Sequence, residues 1–189
     1  RSMADTVPGA GGGEMLLQAL VELERRCLEH AAGLPKQEIR AEVWAGVLFQ
    51  VGDVALVAPL QEIAEVLEVP RDITPVHGTR PWVRGVANNR GTLLPIFDLQ
   101  AFLFGSAITL NPRTRVLVVR QEELPYGLMV RDVIGIRHFD ISTRTDEAPE
   151  VRGVPDELVT GGFASGSQRY AVFSTRDLAL DTRFRQAAA

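Results

Sequence analysis

Catalysis needs a base, a nucleophile, a metal-ligand set or a shaped cradle, and the 189-residue chain holds few of these. Its near-neutral and soft groups are three histidines, His30, His77 and His138, and one cysteine, Cys27. Cys27 and His30 are three residues apart on a helical pattern, a spacing that would let a nucleophile touch its base. The same stripe also reads as ordinary apolar packing with a solvent-side histidine, since a surface helix supplies neither a pocket nor oxyanion donors. His77 sits in the loop Pro75–Gly78 and His138 at a strand end, and neither has a carboxylate at metal-ligand spacing. A lone cysteine makes neither an internal disulfide nor a cysteine-based zinc site.

The acidic pairs Glu122-Glu123 and Asp146-Glu147 read as solvated loop charge, because nothing fixes the cross-cleft separation that glycoside hydrolysis requires. The glycine-rich stretch Gly161–Gly166 lacks the Gly-Lys-Ser/Thr ending of a phosphate cradle and reads as a plain connection. The expectation is a protein with no catalytic residue, no metal and no cofactor.

One block stands out, Trp82–Leu99, with Gly85 and Gly91 around a turn whose tip carries Arg90. Glycines there permit conformations or close approaches that a side chain would block. Arg90 could pair with an acid and pin the turn, or present its planar fork to a partner; residue chemistry alone leaves both open.

The elements that must position this block are short. After a leader (residues 1–13) that begins with Arg1-Ser2, which has the look of a cloning remnant, apolar residues at Leu16, Leu20, Leu23, Cys27 and Ala31 predict an amphipathic helix over 14–34. Gly33 and Pro35 stop it. Strands are expected at Trp44–Val51, Val54–Ala58, Ile63–Val69, Val83–Ala87, Thr92–Phe97, Arg115–Gln121, Tyr126–Val130, Val133–His138 and Arg169–Phe173. Gly52-Asp53 marks a hairpin, and Pro95 argues for an edge or a bulge. Short helices fit Leu99–Phe104, Asp156–Thr160 and the segment after Ser174, where a capping spacing occurs. Many short strands without long intervening helices predict a mainly β fold of small barrels, with similar strand sets on either side of residue 100.

Composition narrows the function classes. Twenty basic residues against 24 acidic ones give a net charge of -4, and 19 of the 20 are arginine, with Lys36 alone. A barrel of SH3 or OB type that binds nucleic acid is the alternative reading, but it needs a basic groove with exposed aromatics, and only 6% of residues are aromatic. No apolar run reaches the roughly 18 residues of a membrane span, and no apolar signal segment lies near the start, so the expected location is the cytoplasm without membrane insertion.

The block from Gly85 to Leu99 resembles the signature of CheW-like chemotaxis adaptor domains, a Gly-Val-x-Asn-Leu-Arg-Gly step followed by Pro-x-x-Asp-Leu. The matching positions are Gly85, Val86, Asn88, Arg90, Gly91, Pro95, Asp98 and Leu99. The likeness extends upstream to Glu65–Leu67 and Ile73–Val76, downstream to Val154–Gly162, and covers residues 43–182. Asn89 stands where the pattern has leucine, a change expected to weaken packing behind the arginine, and Arg131 stands where the pattern often has an acid. The added N-terminal helix, with Gly33–Gln37 and Trp44–Val47, is similar to the adaptors of type IV pilus (twitching motility) chemosensory systems.

The resemblance implies two SH3-like five-stranded β-barrels preceded by the added helix, with no catalytic centre. It implies a scaffold joining the adaptor-like regulatory domain of a CheA-type histidine kinase to the cytoplasmic tip of a methyl-accepting chemoreceptor, with no nucleic-acid partner. It places Arg90 near the receptor groove, paired with Glu65, or with Glu62 if the register shifts by three. The contact set expected around it is Gly85, Val86, Asn88 and Gly91 with the apolar groups Val57, Val66 and Leu67. The helix 14–34 would either cover a barrel edge or dock to a partner.

Overall fold

The computed structural model describes residues 42–187. The leader, the helix over 14–34, and Cys27 and His30 on it lie outside the described residues. The strands are β1 (Val43–Val51), β2 (Val54–Pro59), β3 (Ile63–Glu68), β4 (Val83–Asn89), β5 (Thr92–Asp98), β6 (Arg115–Val119), β7 (Tyr126–Val130), β8 (Asp132–Asp140), β9 (Arg144–Thr145), β10 (Val159–Ser165) and β11 (Gln168–Phe173). Helices α1 (Leu99–Phe104), α2 (Thr175–Leu180) and α3 (Thr182–Arg185) are short.

The strands form two sheets, one of six strands ordered β8-β1-β2-β11-β10-β9 and one of five ordered β3-β6-β7-β5-β4. The two-residue β9 makes the first sheet six-stranded where five were expected. The division does not fall at residue 100 either. The chain leaves the first sheet after β2, builds all of the second, and returns at β8. The hairpin β1–β2 is flanked by late strands, antiparallel to β8 and parallel to β11. Such pairings span many tens of residues and leave no local trace in the sequence.

Strand alternation sorts the side chains into three cores. On β1, Val47, Phe49 and Val51 enter a core shared between the sheets, while Leu48 enters the interior of the six-stranded sheet. On β6, Leu117 and Val119 enter the shared core, while Val116 and Val118 enter the interior of the five-stranded sheet. β7 repeats this with Leu128 and Val130 against Met129. Successive side chains of a strand point to opposite faces, so strands buried on both faces must be continuously apolar. That requirement explains runs such as Val116–Val119 and Leu128–Val130.

Three sequence expectations are corrected here. Asp156–Thr160 is a single 3-10 turn, Asp156–Leu158, that runs straight into β10. Gly161 and Gly162, read as a plain connection, lie inside that strand. A Cβ on Gly161 would stand 2.5 Å from the Thr145 carbonyl oxygen, so the glycine is what lets β9 lie alongside. Glycine depresses strand propensity, which hid the strand. Pro95, in turn, is on an interior strand and not an edge, while the β4–β5 register does shift beside it, between Val83 and Gly85. Val86 opposite it spends both its N–H and its C=O on Thr74, so this pair carries no ladder bonds. The missing N–H of Pro95 therefore faces away from β4, and pairing with β7 begins only at Ile96.

The junction of the sheets is polar at one point. The Tyr126 hydroxyl on β7 donates to the Thr175 carbonyl on α2 at 2.9 Å, and the Thr175 hydroxyl donates to Glu62. Ser174 caps α2 by accepting from the Asp177 N–H at 3.0 Å. Burial, reinforced by the Glu62 carboxylate, raises the Tyr126 phenol above its usual range. The unfolded chain loses that proton near pH 10 while the folded chain keeps it, so the unfolded state binds fewer protons and stability falls as pH rises past about 10. Tyr126→Phe is expected to cost about 1–2 kcal/mol at neutral pH by leaving the Thr175 carbonyl without its donor. Denaturant melts of the variant between pH 8 and 11 should also show a shallower alkaline decline than the parent.

Candidate functional site

The Trp82–Leu99 block is the β4–β5 hairpin with its flanks. Asn89 pairs with Thr92, so the loop is two residues, Arg90 and Gly91, with φ of 53° and 86°. Two positive φ values are what a type I′ turn requires, and its right-handed twist suits the flanking strands. The Asn88 Oδ1 accepts from the Gly91 N–H at 2.7 Å and fastens the loop. Arg90 is the one non-glycine residue at positive φ among the described residues. An L-residue there costs about 1–2 kcal/mol, so local sterics would favour glycine or asparagine. The tip holds an arginine against a conformational penalty, and that points to a use for its side chain.

Most of the block is explained by folding. Gly85 is buried, with φ of 135°, and a Cβ there would lie 2.2 Å from the Thr74 oxygen. The Thr74–Val86 bridge, with both bonds at 2.9 Å, exists because that space is empty. Asp98 is fully buried and caps α1, its Oδ1 accepting from the Ala101 N–H and its Oδ2 from the Ile108 N–H, each at 2.9 Å. Asp98 is thus an anchor for the β5–α1 corner.

Arg90 is different. Its side chain is 80% exposed, and its Nη2 lies 3.3 Å from the Glu65 Oε2. Glu65, 26% exposed, also accepts from the Asn89 Nδ2 at 2.6 Å through Oε1. Of the two acids considered, Glu65 faces the arginine, while Glu62 is engaged by Thr175 at the sheet junction. β3 and β4 are the two edges of the five-stranded sheet, so this carboxylate bridges the sheet's open seam.

The other predicted site residues separate. Val66 is exposed on the outer face of β3, while Leu67 and Val86 are half-buried, Leu67 against the interior of the five-stranded sheet. Asn88 and Gly91 are exposed at the tip. Val57 is corrected: it is fully buried among Leu48, Phe139, Phe163 and Val172 inside the other sheet, so it supports the fold and cannot meet a partner directly. Asn89 was missed as a site residue. The signal was available, as a polar residue in place of leucine on a strand face opposite an acid needs a partner. Leu93, 64% exposed beside the tip, was missed too, with no pattern to mark it.

Arg131, the other departure, donates to the Gly52 carbonyl at 2.8 Å and to Asp53 at 3.1 Å, so it braces the β1–β2 turn. A cleft of about 780 Å³ lies beside that turn, floored by Phe104 and Ile108, and no predicted site residue lines it. No group of three or more His, Cys, Asp or Glu residues that could hold a metal occurs among the described residues. No described helix is long and apolar enough to cross a membrane.

Comparison with known proteins places the same segment in context. Residues 45–173 match the CheW-like domain. The chain is 39% identical over 171 residues to protein PilI of Pseudomonas aeruginosa, covering 90% of this chain and 95% of that protein. It is 32% identical over 145 residues to the chemotaxis protein CheW of Helicobacter pylori, covering 75% and 84%. The crystal structure of the scaffolding protein TtCheW from Thermoanaerobacter tengcongensis superposes with a TM-score of 0.66 at 16% identity, covering 80% of this chain and 96% of that one.

The geometry separates fold from function by substitution. Gly85→Ala should destabilise by about 2–4 kcal/mol, through the positive φ and the lost Thr74–Val86 bridge. Arg90→Gly should change stability by less than about 1 kcal/mol, because relief of the left-handed strain offsets an exposed ion pair. Urea denaturation of the two variants checks both.

Proposed function

From this chain's membership of the CheW-like domain family, we infer that it is a non-catalytic scaffold of a chemotaxis-type signalling pathway, and that it couples a chemoreceptor to a CheA-type histidine kinase. The observation that carries the reading is the sequence match over residues 45–173, together with 39% identity to PilI across nearly the full length of both chains. That second likeness favours the branch of the family that serves type IV pili, so the output assigned is twitching motility. The domain boundaries that go with this reading are 43–182 for the adaptor and 14–34 for an added amphipathic helix. The site of action is the cytoplasmic side, where receptor tips and kinase lie.

The mechanism is positional. A scaffold that holds kinase and receptor at once lets a rearrangement of one change the placement of the other, which is a coupling free energy between two sites. A specific contact buries about 800 Å² on each partner, a large share of either small sheet. Arg90 is the tip residue whose exposure and charge suit recognition, with Val66 and Leu93 as the exposed apolar groups near it in sequence or across the seam. Gly85, Val86, Asn88 and Gly91 hold the tip in shape, and Glu65 holds the arginine.

Isothermal titration against the isolated adaptor-like domain of a CheA-type kinase from the same organism tests the scaffold reading. Binding at micromolar affinity or tighter is expected, and absence of heat at several temperatures would remove the kinase link. Arg90→Glu is expected to melt within about 1 kcal/mol of the parent, as an exposed pair is worth little. The same variant should lose receptor control of kinase activity in a reconstituted assay. A collapse of its melting temperature would instead make Arg90 a structural residue.

A further inference from the structure

The seam between β3 and β4 contains one carboxylate served by two consecutive residues of different kinds. The Asn89 amide donates to Glu65 Oε1 at 2.6 Å, and the Arg90 guanidinium forms an ion pair with Oε2 at 3.3 Å. Asn89 is half-buried at the end of a strand, on the same face as buried Ala87, so the strand fixes its position. Arg90 sits in the loop with its side chain 80% exposed. A guanidinium carries five N–H donors in a rigid fork, and its pairing with Glu65 uses one nitrogen. An exposed ion pair of this sort is weak, so the arginine leaves readily. The carboxylate it would leave is only 26% exposed, and a partly buried charge without a protein donor is costly.

We propose that Arg90 is an exchangeable donor, which leaves Glu65 for a carboxylate on a docked partner while Asn89 keeps Glu65 satisfied. Asn89 is then a positioning residue for recognition, and the partner group it serves is an acidic side chain or chain terminus able to take the arginine fork in bidentate fashion. A leucine at position 89 would leave Arg90 as the sole protein donor to Glu65 and would tie the arginine down. The inference rests on the adaptor reading only for which macromolecule brings the acid; the exchange itself is a property of this chain.

The first test needs no partner. Melting temperatures are compared for Asn89→Ala, Arg90→Ala and the double variant, each with Glu65 intact and with Glu65→Gln. With Glu65 intact, Arg90→Ala alone should shift the midpoint by less than about 2 °C, and the double variant should fall about 4 °C further than the sum of the singles. Glu65→Gln should remove that excess, because a neutral amide no longer needs a donor from either residue. Additive shifts, or an excess that persists with Gln, overturn the proposal.

The second test titrates a receptor cytoplasmic-tip fragment from the same organism. Asn89→Ala should weaken binding about tenfold, and adding Glu65→Gln should restore it. Parent-like binding by Asn89→Ala alongside weakened binding by Arg90→Ala overturns the exchange and leaves the adaptor reading standing. If the parent binds no tip, the adaptor reading fails separately, and the melting cycle still decides whether the two residues are alternative donors.

Discussion

Burial of the central strands on both faces is the constraint from which the rest of the molecule follows. β1, β2, β6 and β7 each divide their side chains between a shared core and the interior of one sheet. Neither sheet can be removed without exposing half of the shared core, which includes Phe49, Leu117, Leu128 and Phe173. The two sheets are therefore one folding unit, although each has its own interior. Their rigidity is what allows a two-residue loop at one end of a hairpin to be held in a fixed position.

The signature block follows from the same logic. Gly85 admits Thr74, Asn88 fastens the turn, Pro95 occupies the pair that has no ladder bond, and Asp98 caps α1. Each solves a backbone problem, and Arg90 alone among them carries a conformational cost without a matching stability gain. The pattern is thus a device for building one hairpin, with a single outward-facing charge at its end. The strained tip, the exposed guanidinium and the seam carboxylate are the features on which the proposed recognition site at the β4–β5 end of the five-stranded sheet rests.

Much of this was legible in the residues. Tyr126–Val130 and Leu99–Phe104 have the bounds expected of them, because an unbroken apolar run and an Asp-capped segment ending at Gly105 are local signals. The mainly β class followed from turn residues between short apolar runs. What was not legible was either non-local or masked. The return of the chain to the first sheet depends on β1 pairing with β8 and β2 with β11, contacts with no sequence signal. β10 was hidden by its glycines. Val57 looked like a surface contact because a strand buried on both faces has no polar alternation to show which valines face inward. Asn89 was half-legible: a polar residue in place of leucine called for a partner, but that partner, Glu65, is on the strand at the opposite edge of the sheet and could not be named from local sequence.

In the proposed arrangement, partner recognition is concentrated at the hairpin tip while the two sheets serve as its rigid mount. Amide chemical-shift mapping of the full chain, with the receptor tip and the kinase adaptor-like domain added singly and together, tests it most directly. The receptor tip should perturb residues 85–93 and the neighbouring part of β3, the kinase domain should perturb a separate surface, and both sets of shifts should persist in the mixture. Competition of the two partners for one surface, or receptor-induced shifts that avoid the β4–β5 hairpin, would contradict it.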